Sequence, residues 1–234
     1  MAGRILNVAE EAPMRRSFRD HGLSITMFGL FAIILVGQIF SGLAAQNEEL
    51  TQHGQQAVGL AAYLADGHFV EAVFENWESE FLQMAAFVVF TVFLKQKGSP
   101  ESKPLEGKEP VDRDPRSNRR RKNVPWPVRR GGIWLRLYEN SLSLALIGLF
   151  LLSFLLHAVG GAAEYSDEQL QHGGESVTAL GYIATPQFWF ESLQNWQSEF
   201  LAVGVLVVLS IHLRQRGSPE SKPVDAPHHE TGSE

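Results

Sequence analysis

The chain has 234 residues, with 20 Lys and Arg against 26 Asp and Glu for a formal net charge of −6, and 44% of the residues are hydrophobic. That length allows one or two soluble domains, but the apolar residues gather in long uncharged runs and the basic ones in three short stretches, so the averages describe no single region. No cysteine is present, which excludes disulfides, thiolate metal sites and a cysteine nucleophile.

Residues 1–19 carry Arg4, Arg15, Arg16 and Arg19 and read as a short cytoplasmic arm, with Met14 as an alternative start. The 23 residues from Leu23 to Ala45 carry no charge. At about 1.5 Å per residue they suffice to cross a hydrocarbon core of about 30 Å. A signal peptide competes for this run, since arginines precede it and Gly42, Ala44 and Ala45 close it. Its apolar core is too long for one, and the same pattern recurs internally at Leu142 to Ala163. Gly37, Ser41 and Ala45 recur every four residues, a stripe on which another helix can approach closely.

Residues 46–75 are acidic, without lysine or arginine, and read as extramembrane. A helix is expected from Asp66 to His68 onward, through Trp77 and Glu80 into a second span at Phe81 to Leu94. Those 14 uncharged residues cover only about 21 Å. The span must therefore recruit Asn76 to Glu80 into its outer end. Gly98-Ser99-Pro100 is expected to stop it. Residues 105–135 form a basic linker with Arg119-Arg120-Arg121-Lys122 and Arg129-Arg130. Beside membrane spans this reads as a cytoplasmic loop against anionic lipid, not as a nucleic-acid site.

The second half repeats the first. At a constant offset of 119, residues 23–104 and 142–223 share 32 of 82 positions, including Asn-Trp-x-Ser-Glu-Phe-Leu and Gly-Ser-Pro-Glu-Ser-Lys-Pro, which chance does not produce. The chain thus divides into a first two-span repeat (20–104), the linker, a second repeat (136–223) and a tail (224–234). The fourth span is expected to begin at the cap Thr185-Pro186 and to run to about Gln215. All 20 Lys and Arg lie in 4–19, 95–136 or 214–222, which places both termini and the linker inside. The expected fold is an all-α membrane protein with four transmembrane helices, arranged as two parallel two-helix repeats about a pseudo-twofold along the membrane normal.

The duplicated tracts at 76–104 and 195–223 resemble those of an uncharacterised bacterial membrane-protein family, a domain of unknown function with two spans per half, over about residues 16–224. The resemblance implies a bacterial cytoplasmic (inner) membrane location and carries over no functional residue.

No nucleophile–base motif, phosphate loop or cysteine–histidine spacing occurs, so neither an enzyme nor a cofactor is expected. His53 and His172, beside Gly54 and Gly173, suit a helix cap or turn better than a metal, and His228-His229 in the tail carries no metal reading. Glu101 and Glu220 suit a serine-capped helix stop or a cytosolic partner. The leading reading is a structural or accessory membrane protein, in contact with the bilayer and with a second copy or a membrane-protein partner. The alternative is a small ion- or proton-binding transporter or channel. For that alternative the candidate intramembrane residues are Gln38, Glu80, His157 and Glu199: Glu80 and Glu199 each lie 15 residues outside a basic collar, and Gln38 and His157 lie at matching depth on the adjacent helix. Glu80 would meet Gln38, Glu199 would meet His157, and the two glutamates could share a proton or cation.

Overall fold

A computed structural model describes residues 13–232, and among them regular structure is entirely helical. The chain forms two compact units, one ending at Ala65 and one beginning at Asp66.

The first unit holds α1 (Pro13–Gln52), which departs from helical geometry at His21, and the single-turn α2 (Leu60–Tyr63). Asn47 pins the return of the chain: its Nδ2 donates to the carbonyl of Val58 at 3.1 Å and its Oδ1 accepts the Val58 N–H at 2.6 Å. Tyr63, 1% exposed, lies over Gly42, where a Cβ would overlap the phenol oxygen. The close approach is therefore at Gly42 and not on the expected stripe. Nothing stands within 4 Å of a Cβ at Gly37, and Ser41 and Ala45 are exposed.

The second unit begins with α3 (Gly67–Phe93), capped by Asp66, which accepts from the His68 N–H at 3.1 Å. A segment with two 3-10 turns leads to α4 (Trp126–Arg130), α5 (Gly132–Glu139), α6 (Ser141–Gln171), α7 (Ala179–Ile183) and α8 (Pro186–His212). Thr185 caps α8 as its sequence predicts, accepting from the Phe188 N–H at 3.3 Å with Pro186 in the first turn.

Both α3 and α8 end earlier than their glycines suggest, because Leu94 and Leu213 are already extended. The cause is the second serine of each tract, two residues before its last proline. Ser102 Oγ accepts the Gln96 N–H at 2.8 Å and Ser221 Oγ the Gln215 N–H at 2.9 Å, drawing the chain out of the helix. Gly98 and Gly217, at φ 86° and 85°, then make the turn within the tract.

α6 packs chiefly against α3 and α8 less extensively against α3, so the main contact joins helices from different halves of the sequence. It is close: a Cβ on Gly67 would stand 2.8 Å from the Gly160 carbonyl oxygen. This crossing explains why the compact units divide after Ala65, inside the expected 20–104 repeat, rather than in the linker. The linker itself is folded. Arg130 sits over Trp126 and Trp134 at 5.3 and 5.7 Å, and Arg119 donates to the carbonyls of Arg129 and Arg130.

Where the sequence leads to an expectation of four spans, two described helices are long and apolar enough to cross a membrane, Arg16–Gln52 and Ser141–Gln171. α3 and α8 fall short on apolarity because their N-terminal halves carry Asn-Trp-x-Ser-Glu, with Glu71, Glu75 and Glu78 also on α3 and Glu191 on α8.

Candidate functional site

At about 100° per residue, Glu71, Glu75 and Glu78 share one stripe of α3. α6 meets that stripe through Gly160 and Gly161, and a Cβ on Gly161 would overlap the ring of Tyr182. The glycines thus let α3 carboxylates, a histidine of α6 and a tyrosine of α7 converge.

At the centre is a hydrogen-bonded pair with 0% exposure on both side chains: His157 Nδ1 lies 2.8 Å from Glu78 Oε2. The other oxygen of Glu78 accepts from the Trp196 indole N–H at 2.9 Å. With both oxygens occupied, Glu78 is fixed, and it fixes the imidazole in turn. Phe188, fully buried, stacks on the imidazole at 4.7 Å. His157 Nε2 faces Glu191 Oε2 at 3.5 Å but makes no hydrogen bond.

The Tyr182 hydroxyl lies between two carboxylates, 2.9 Å from Glu71 Oε1 and in short contact with Glu191 Oε2. Burial, then the hydrogen bond and charge of these two groups, push its phenol far above the usual tyrosine range, so it remains a donor. One hydroxyl proton serves two acceptors. Gln187 donates to the other oxygen of Glu191, and Asn195 donates to Glu75. A cleft of about 290 Å³ reaches Glu71, Glu75, Tyr182 and Glu191, with Glu164 and Glu168 at its walls.

Of the residues expected from the sequence, His157 is central, but its partners are Glu78 and Glu191 and not Glu199. Glu80 is exposed, about 200° around α3 from Glu78, and close enough to the half-buried Glu199 for their charges to repel. Gln38, half-buried, belongs to the first unit. His53 and His172 each place Nδ1 against a carbonyl four residues back, Glu49 and Glu168, the local turn role expected of them. His228 Nδ1 meets the carbonyl of Ile211.

The residues missed share a signal. At the offset of 119, Glu78 corresponds to Gln197, Glu71 to Phe190, His157 to Gln38 and Glu191 to Ala72. The charged residues of the cluster stand where the two halves differ, while Tyr182 and Trp196 repeat Tyr63 and Trp77 and Glu199 repeats Glu80.

A family model described as Domain of unknown function (DUF6766) matches residues 14–233. No curated protein and no solved structure matches the chain.

Proposed function

Because the chain belongs to the DUF6766 family, whose description names no activity, we propose from the site itself that this is a multi-pass membrane protein that binds a cation at the cluster of Glu71, His157 and Glu191. The observation that carries the reading is the Glu78–His157 pair at zero exposure, in company with three further carboxylates and no lysine or arginine. Buried carboxylates in such excess are costly unless a proton or metal ion offsets them. An accessory role, the first expectation from the sequence, requires no buried charge, so the cluster favours the ion-binding reading. The reading is non-enzymatic.

In this reading α1, α3, α6 and α8 all cross a bacterial cytoplasmic membrane. The outward apolar residues of the short segments support it, among them Phe90 and Phe93 on α3 and Leu201 and Val208 on α8. Parallel duplication is supported by matched local bonding: Ser166 Oγ donates to the Val177 carbonyl and accepts its N–H, as Asn47 does with Val58 at 119 residues' remove. Both termini lie inside by the positive-inside rule, with the basic linker against anionic lipid and a second copy as partner.

Trp196 is a built-in reporter, since its indole donates to Glu78. Its emission in detergent, taken as the difference from Trp196→Phe, should step on titration with protons, alkali cations or divalent cations, and lose that step in Glu191→Gln. No step with any cation would sink the reading.

A further inference from the structure

Resting on that cation-binding reading, we infer that the cation is a divalent first-row transition metal, held by Glu71, Glu191 and His157 Nε2. The ligand atoms of these three side chains all lie within 4.8 Å of one another, a spacing that one ion can bridge with small rotamer adjustments.

Three observations bear on the choice of ion. His157 Nε2 is a fully buried ring nitrogen that makes no hydrogen bond and faces Glu191. An imidazole nitrogen ligand favours zinc, manganese, iron or cobalt over calcium and magnesium, which take oxygen. Next, Glu78 occupies Nδ1 at 2.8 Å. A carboxylate on the remote ring nitrogen orients a metal-binding histidine and raises its basicity, and here Trp196 holds that carboxylate in turn. Glu78 is therefore a positioning residue and not a ligand.

The third observation is charge. One Tyr182 proton is shared by Glu71 and Glu191, leaving a buried deficit of positive charge that a divalent ion would meet. Glu75, Glu164 and Glu168 line the approach with the two ligand carboxylates. No lysine or arginine occurs in 20–94 or 137–213 to compete, so the cleft draws cations in. The other half of the sequence has Phe190, Gln38 and Ala72 at the matching positions, so the inference is one ion per chain.

The test uses the full chain in detergent, stripped with chelator and titrated with Co²⁺. Visible d–d absorption saturating at one equivalent per chain, displaced by Zn²⁺ and not by Mg²⁺ or Ca²⁺, is the expected result. Glu71→Gln and Glu191→Gln should abolish the bands, Glu78→Gln should weaken Co²⁺ binding by about 10–100-fold, and Glu199→Gln should leave it unchanged. If the variants do not fold, the wild-type absorption and its competition by Zn²⁺ decide alone. Absent bands in the wild type, or bands retained in folded Glu71→Gln, overturn the inference. A Trp196 step with protons or alkali cations but no Co²⁺ bands would overturn the metal while leaving the cation-binding reading standing.

Discussion

A Cβ on Gly160 would stand 2.6 Å from the backbone nitrogen of Glu71, so α6 meets α3 there with no room for a side chain. The obstacle is backbone and cannot swing aside. Gly160→Val should therefore destabilise the protein by at least the roughly 1–3 kcal/mol typical of overpacking. Gly148→Val, on the same helix with nothing within 4 Å, is the control. Thermal unfolding in detergent compares them, and equal midpoints would remove the crossing from the account.

Helix starts were legible in the sequence because capping is local: Asp66 and Thr185 each satisfy an N–H two or three residues on. The closest helix partner was not. Matching depths within each repeat leads to α6 against α8, and these do meet where His157 faces Phe188 and Glu191, but Gly67 and Gly160 bring α6 closer against α3, and small residues at a crossing do not reveal which helix they admit. The site was half legible for the same reason. His157 stands out as a lone histidine in an apolar run, but Glu78 is recognised only once the stripe of Glu71, Glu75 and Glu78 is separated from Glu80 on the opposite face. The 119-residue repeat displays what the halves share, and the charged residues of the cluster lie in what they do not.

The two Gly-Ser-Pro-Glu tracts meet through Glu101 and Glu220. Burial, and then the hydrogen bond and charge of Glu220, push the Glu101 carboxyl above its usual range. A carboxyl with a raised folded pKa contributes stability that is fully present below its unfolded value and is lost as pH rises through the folded one. Glu220→Gln should therefore raise the unfolding temperature at neutral pH and change it little in acid. A variant whose midpoint runs parallel to the wild type across pH would refute the pairing.

Asp112 has the opposite sign. Its hydrogen bond from Lys103 at 2.8 Å, helped by the Glu109 N–H, lowers its carboxyl below the usual range. The contact is therefore present above the unfolded value and lost as pH falls through the folded one. Acid should open the 105–118 segment to a protease active at low pH, and Lys103→Met should open it already at neutral pH. Equal cleavage of the two proteins at neutral pH would contradict this.

The proposed topology, four crossings with both termini inside, is open to direct test. Reporter fusions at Gln55 and Gly174 should register outside and a fusion at Asp112 inside, since lysine and arginine flank only the latter. An outside signal at Asp112 together with one at Gln55 would leave α3 without a crossing, and α6 alone would then carry the cluster into the membrane.

Tyr182 supplies one hydroxyl proton to the carboxylates of Glu71 and Glu191. Phenylalanine keeps the ring that packs against Phe188 at 5.5 Å and His157 at 6.4 Å, and removes only the donor. Two half-buried acceptors then lose their common partner, at a cost of about 1 kcal/mol. In chelator, Tyr182→Phe should unfold at a lower temperature than the wild type, while Tyr138→Phe, on an exposed residue, should not. Because a bound ion offsets the same negative charge, added Co²⁺ should raise the Tyr182→Phe midpoint by more than it raises that of the wild type. A Tyr182→Phe protein that is as stable as the wild type in chelator would show that the hydroxyl does not hold the two carboxylates together.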